Sequence, residues 1–209
     1  MKTLAILGAS GHGKVLADLA LVCGFEKIDF FDDRSPKLNI LEHWDVVGDS
    51  RTLLTSVSKY SGVIVAIGHN ETRLRKQLLL KNAGARMATL IHPTATISQF
   101  AEIGEGSVLM AGTVVNAFCK IGKCNIINTS ATVDHDCKLG DAVHISPGVN
   151  LAGSVLIGDC TWIGIGACVI QSISIGSNVI VGAGSTVIDS LKDKSSVVGS
   201  PAKTPKSSF

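Results

Sequence analysis

Three adjacent residues, Asp134-His135-Asp136, set an imidazole between two carboxylates. Imidazole titrates near neutral pH and can take a proton from a nucleophile as a bond forms. A carboxylate on one ring nitrogen fixes the tautomer and makes the other nitrogen more basic. Asp136, or failing it Asp134, is the partner by position. Cys137 follows directly, yet it falls on an inward-facing slot of the surrounding repeat and is a poor nucleophile.

A second constellation lies near the start. Gly8-Ala9-Ser10-Gly11-His12-Gly13 precedes an apolar helical pattern, and Asp32-Asp33 closes the second strand pattern. Gly8 to Lys14 matches G-x-x-x-x-G-K, but Val15 stands where a Ser or Thr must ligate Mg²⁺. As a dinucleotide fingerprint the glycine order is G-x-x-G-x-G in place of G-x-G-x-x-G. A third reading fits better. The loop and helix N-terminus offer backbone N–H groups and a favourable dipole to an anion. The acidic pair can accept hydrogen bonds from a base or ribose, which describes a nucleotide-diphosphate site without redox chemistry.

The elements that must hold these residues divide the chain in two. Leu4 to Leu7, Ile28 to Phe31 and Gly62 to Ile67 read as strands, with helices after the glycine loop and over 71–82, and a last strand near 87–91. This is an α/β, Rossmann-like βαβ domain, expected over 1–88, with ligands at the carboxyl ends of its strands. From Ile91 to Val187 an aliphatic residue then returns at every sixth position, through Ile97, Ile103, Leu109 and onward, until Asp193 breaks the series. Period six is neither helical nor that of a simple strand; it indicates short strands joined by repeated corners and wound into a coil. Positions four later are mostly small or β-branched, Cys119 and Cys137 among them, and make a second inward slot. Glycine follows the aliphatic residue at Gly104, Gly122, Gly140 and Gly158 among others, where φ or packing excludes a side chain. The coil is expected over 89–190 and a C-terminal tail over 191–209.

The motifs in order are Gly8 to Gly13, Asp32-Asp33, Ala66-Ile67-Gly68-His69-Asn70-Glu71-Thr72-Arg73, Ile91-His92-Pro93, Asn128-Thr129-Ser130, Asp134-His135-Asp136 and Val198-Gly199-Ser200-Pro201-Ala202-Lys203. Together they resemble the hexapeptide-repeat sugar N-acetyltransferases of the UDP-N-acetylbacillosamine type, with sialic acid O-acetyltransferases and perosamine N-acetyltransferases as close relatives. The resemblance implies that the coil is a left-handed parallel β-helix holding acetyl-CoA and that the N-terminal domain holds a UDP-aminosugar. It carries sugar-nucleotide contacts onto Ser10, Gly11, His12, Asp32, Asp33 and Gly68, with Asn128 added from its motif. It carries the general base onto His135, its acidic neighbour onto Asp136, and acetyl-CoA contacts onto His144, Ile165 and Ala183. Asp136 stands where the bacillosamine enzyme has Glu, and Ala183 where it has Gly.

Coil arithmetic adds a constraint. Ile165 and Ala183 differ by one eighteen-residue coil and stack, whereas His135 and His144 are half a coil apart and lie on different sides of the prism. Base and acetyl-CoA contact then serve one reaction only where edges of two subunits meet, so a homotrimer is expected. Composition narrows the alternatives. Lys and Arg number 19 against 17 Asp and Glu, which argues against a nucleic-acid surface. The longest apolar runs fall short of a membrane span, no secretory signal is apparent, and a cytoplasmic setting with free thiols is expected. A zinc site of the carbonic anhydrase type needs three converging imidazoles, and His92, His135 and His144 have no such spacing, so no metal is expected. A non-catalytic sugar-nucleotide scaffold is the remaining rival, against which the outward-facing Asp-His-Asp counts.

Overall fold

The computed structural model describes residues 1–205, and the last four residues of the expected tail lie outside that range. The chain forms two compact units, Met1–Pro93 and Thr94–Phe209.

In the first unit, β1 (Thr3–Leu7) leads through the glycine loop into α1 (Gly11–Val22), then β2 (Lys27–Phe31). A hairpin follows, β3 (Ile40–Leu41) and β4 (Trp44–Gly48), then the short α2 (Ser50–Leu54), β5 (Gly62–Val65) and α3 (Asn70–Asn82). The sheet order is β3-β4-β2-β1-β5, parallel except for the β3–β4 pair. That antiparallel edge makes the sheet mixed, where the sequence predicts a parallel one. The central strands are continuous apolar runs because both faces are covered: Leu4, Ala5, Ile6, Phe30, Val63 and Ile64 are fully buried. The expected last strand is reduced to Leu90–Ile91, with a parallel bridge from Met87 to Val63.

The second unit is the left-handed parallel β-helix. Two-residue strands pair in parallel with strands eighteen residues on, as in Thr132↔Asn150, Lys138↔Leu156 and His144↔Trp162, so three faces repeat along the coil. In each strand the second residue is the period-six aliphatic and points inward. Leu109, Ile127, Ile145 and Ile163 stack into one fully buried ladder. Burying each such side chain contributes about 1.5–3 kcal/mol, and this ladder is what the isolated hexad lacks.

Between strands the chain turns with positive φ at every sixth residue from Gly106 to Gly184, nine of the fourteen not being glycine. The stacked coil therefore enforces the corner at about 1–2 kcal/mol per such residue, and glycine is not what makes it. The glycines directly after the aliphatic residues have a different cause. A β-carbon on Gly104 would lie 2.5 Å from the carbonyl of Gly122 in the next coil. Of the two reasons for those glycines, φ and packing, packing is the operative one.

The break in the hexad series at Asp193 is a register change. Ile175 bridges Leu191 and Val181 pairs with Val197, both sixteen residues apart, so the last coil is two residues short. Residues from Leu191 to Lys203 add this coil to the prism, closed by a bridge between Val198 and Lys203. Among the described residues no helix is long and apolar enough to cross a membrane.

Candidate functional site

The first unit gathers polar groups at the carboxyl ends of β1, β2 and β5. A cavity of about 220 Å³ there is lined by Leu7, Gly8, Ser10, Asp32, Asp33, Ala66, Ile67, Gly68 and Lys76. Its floor requires close backbone approach. Gly8 has φ +117, and a β-carbon on it would sit 2.7 Å from the Ala66 carbonyl oxygen; one on Gly13 would sit 2.3 Å from the Gly8 carbonyl oxygen. Ser10 is the N-cap of α1 but makes no side-chain capping bond, so its hydroxyl is not committed to the helix.

The two acidic residues do different work. Asp32 accepts the Ala9 N–H at 2.9 Å and pairs with Arg34 at 2.8 Å, and Arg34 holds its carboxyl below the ordinary range. It thereby ties the glycine loop to the end of β2. Asp33 accepts the Ser50 N–H at 2.9 Å and the Lys76 ammonium at 3.0 Å. Bonding to Ser50, then to Lys76, lowers its pKa to about 2. Gly68 is exposed, and its carbonyl accepts from the buried Arg73 at 2.9 Å. Gly11 and His12 do not line the cavity. The Nε2 of His12 is buried without a hydrogen bond, and burial, then the charge of Arg73, lowers its pKa to about 4. Burial there favours the neutral imidazole. Lys76 is the residue the sequence reading missed: it lies 43 positions beyond Asp33, and no local pattern announces the pairing.

In the second unit His135 follows the strand Thr132–Val133 and stands at an exposed corner. Its Nδ1 is 2.8 Å from Asp136 Oδ2. Asp136 has φ +60, which curls its side chain back toward the preceding residue. Asp134 takes another role, accepting the His135 backbone N–H at 2.8 Å and Asn116 Nδ2 at 2.7 Å. The hydrogen bond to Asp136 raises the His135 pKa above its ordinary 6.5. Nδ1 donates to the carboxylate in this arrangement, and Nε2 carries the lone pair. One coil on, Gly153 lies under the ring: a β-carbon there would fall 2.6 Å from both Nε2 and Cε1.

Cys137 is fully buried and donates to the Ala152 carbonyl at 3.2 Å. Its neighbour Cys119, together with burial, pushes its thiol up.

His144 lies on another face. Asn128 Nδ2 approaches its Nε2 at 3.3 Å, and its ring stacks on Trp162, centroids 6.1 Å apart. Trp162 leads into a groove of about 840 Å³ with Ile165, Ile180, Ala183, Lys194 and Ser196 on its walls. Ile165 and Ala183 stack one coil apart, the Gly184 N–H donating to the Ile165 carbonyl at 2.7 Å. The groove thus joins two of the three residues expected to meet acetyl-CoA, and His144 adjoins it through Trp162. Both Trp162 and Gly153 were within reach of eighteen-residue arithmetic, as partners of His144 and His135. Among the described residues no group of three His, Cys, Asp or Glu could hold a metal ion.

The chain is similar to known proteins in sequence and in overall structure. The PglD N-terminal domain model matches residues 3–78. The acetyltransferase domain of PglB from Neisseria gonorrhoeae, solved with acetyl coenzyme A, is 42% identical; the match covers 98% of this chain and 99% of that one, at a TM-score of 0.93. PerB from Caulobacter crescentus, solved with CoA and GDP-perosamine, is 37% identical with 98% of each chain covered and a TM-score of 0.93. UDP-N-acetylbacillosamine N-acetyltransferase from Bacillus subtilis is 37% identical over 117 residues, 53% of this chain and 52% of that protein. The chain thus spans about half the length of the curated relative it matches.

Proposed function

Because the chain belongs to the hexapeptide-repeat sugar N-acetyltransferase family, we propose that it moves an acetyl group from acetyl-CoA to the amino group of a nucleotide-linked aminosugar. The acceptor in this reading is a UDP-4-amino-4,6-dideoxy-N-acetylglucosamine, and the product UDP-N,N′-diacetylbacillosamine. One observation carries the chemistry: Asp136 engages Nδ1 of an exposed histidine at 2.8 Å and leaves Nε2 as the proton acceptor.

The neutral sugar amine attacks the thioester carbonyl, forming the C–N bond as the carbonyl π pair moves to oxygen. The nitrogen must then shed a proton, which Nε2 of His135 takes. Collapse of the intermediate breaks the C–S bond, and the imidazolium returns the proton to the leaving CoA sulfur. The products are an amide and free CoA thiol. No acetyl-enzyme forms, because the thiols of Cys119 and Cys137 are both fully buried and each donates to a backbone carbonyl. Asp136 is shorter by one methylene than the glutamate of the family pattern, yet its Oδ2 lies 2.8 Å from Nδ1.

In this reading the cavity at Ser10, Asp32, Asp33 and Gly68 takes the nucleotide diphosphate and sugar, with Gly11 and His12 shaping the loop above β1. The groove at Trp162, Ile165 and Ala183 takes the pantetheine arm, with His144 beside it. His135 and His144 lie on different faces of the coil, so base and acetyl-CoA come together across a subunit boundary in a homotrimer. Thiols that are not joined in disulfides suit the reducing cytoplasm, where acetyl-CoA is available.

A second acceptor, GDP-perosamine, is favoured by the full-length match to a protein solved with it. Incubation with acetyl-CoA and a panel of UDP- and GDP-aminosugars, following thiol release, tests both. Turnover with the UDP-4-aminosugar supports the first reading, turnover with GDP-perosamine alone supports the second, and release with none of the amines contradicts the proposed activity.

A further inference from the structure

We propose that Gly153 is a positioning residue for His135: its missing side chain is the seat on which the imidazole rests. The proposal builds on the reading of His135 as base. Gly153 does not have positive φ, so its backbone does not demand glycine. It is nonetheless buried, at a corner where its coil neighbour His135 is exposed. The three atoms nearest an added β-carbon are all His135 ring atoms, Cε1 and Nε2 at 2.6 Å and Cδ2 at 3.2 Å. This sets Gly153 apart from Gly104, Gly122 and Gly164, whose added β-carbons would meet backbone of the next coil.

An alanine at 153 therefore leaves the prism intact and displaces the ring. Carbon atoms in contact sit about 3.5–4.0 Å apart, so the imidazole would shift by about 1 Å. The shift strains the 2.8 Å bond from Nδ1 to Asp136 and puts a methyl group against the edge that carries the accepting lone pair. Misplacement by about 1 Å of a catalytic group costs on the order of 10²-fold.

The test compares Gly153→Ala, His135→Ala and the double variant in steady-state turnover, in thermal unfolding and in calorimetric binding of acetyl-CoA. Nitrogen NMR of His135 is recorded in the parent and in Gly153→Ala. Gly153→Ala is expected to lower kcat on the order of 10²-fold with acetyl-CoA affinity within about twofold of the parent. The double variant is expected to match His135→Ala in residual rate and unfolding temperature, because no ring remains to collide with. In Gly153→Ala the imidazole is expected to lose its Nδ1–H tautomer preference and titrate nearer 6.5. A double variant less stable than His135→Ala would show that the clash is with backbone and overturn the proposal. Imidazole shifts unchanged by Gly153→Ala would overturn it too, whatever the activities. Full turnover by His135→Ala would instead remove the base assignment, and the NMR would still decide whether Gly153 seats the ring.

Discussion

Asp136 Oδ2 lies 2.8 Å from Nδ1 of His135, its immediate neighbour in sequence, across a corner where Asp136 has φ +60. Neighbouring side chains in an extended strand point to opposite faces, so this contact exists only because the coil turns there. Aspartate tolerates the left-handed conformation better than most side chains. The corner that the repeat imposes every six residues is what makes a base–carboxylate pair out of two adjacent residues.

This pairing sets the acid limb of the pH profile. A base works when unprotonated, so activity falls as pH drops through its pKa, which Asp136 holds above 6.5. Asp136→Asn removes the negative charge, and the acid limb of kcat/KM is expected to move to lower pH while the maximum rate falls. A limb unmoved in that variant would show that Asp136 does not tune the base.

The hexad series made the coil legible from Ile91 to Val187, because one inward aliphatic per strand is a demand that each coil repeats. It lost the thread at Asp193, where a two-residue shortening shifts the register and brings Leu191 and Val197 to the positions that strict counting assigns to 193 and 199. The β3–β4 hairpin was not read, since strands as short as Ile40–Leu41 leave no room for an alternating pattern. Asp134-His135-Asp136 could be read as a chemical unit, but only the structure separates the ring partner, Asp136, from the backbone anchor, Asp134. Lys76 stayed hidden because its charge meets Asp33 through the sheet topology and not through local spacing.

Sugar-nucleotide affinity is expected to depend on the acidic pair. Asp32→Ala frees the Ala9 N–H and Arg34, and Asp33→Ala frees Ser50 and Lys76. Hydrogen bonds involving charged groups contribute about 1.5–3 kcal/mol, so KM for the sugar nucleotide should rise at least about tenfold in either variant. Acetyl-CoA binding by calorimetry should stay near the parent value. Equal losses for both substrates would argue against the division of labour between the two units.

The groove beside Trp162 can be closed without disturbing the core, because Ala183 is exposed on its wall. Ala183→Leu is expected to raise KM for acetyl-CoA on the order of tenfold, about 1.4 kcal/mol, and to leave KM for the sugar nucleotide unchanged. Unaltered acetyl-CoA kinetics would place the cofactor elsewhere.

His12 should make the N-terminal unit acid-sensitive. Its folded pKa, about 4, lies below the ordinary 6.5, so between these values the unfolded chain binds the proton that the folded chain refuses. Stability is therefore complete above 6.5 and declines as pH falls toward 4, by on the order of 3 kcal/mol. Denaturant unfolding across that window should show the decline, and His12→Gln should flatten it. Equal slopes in the parent and the variant would mean that the buried imidazole is not its source.

The most direct measurement is the steady-state rate of His135→Ala with saturating acetyl-CoA and UDP-4-aminosugar. General-base catalysis contributes about 10²–10⁴-fold, so kcat should fall by that order while both KM values hold near the parent. Turnover at the parent rate in that variant would contradict base-assisted direct transfer by His135.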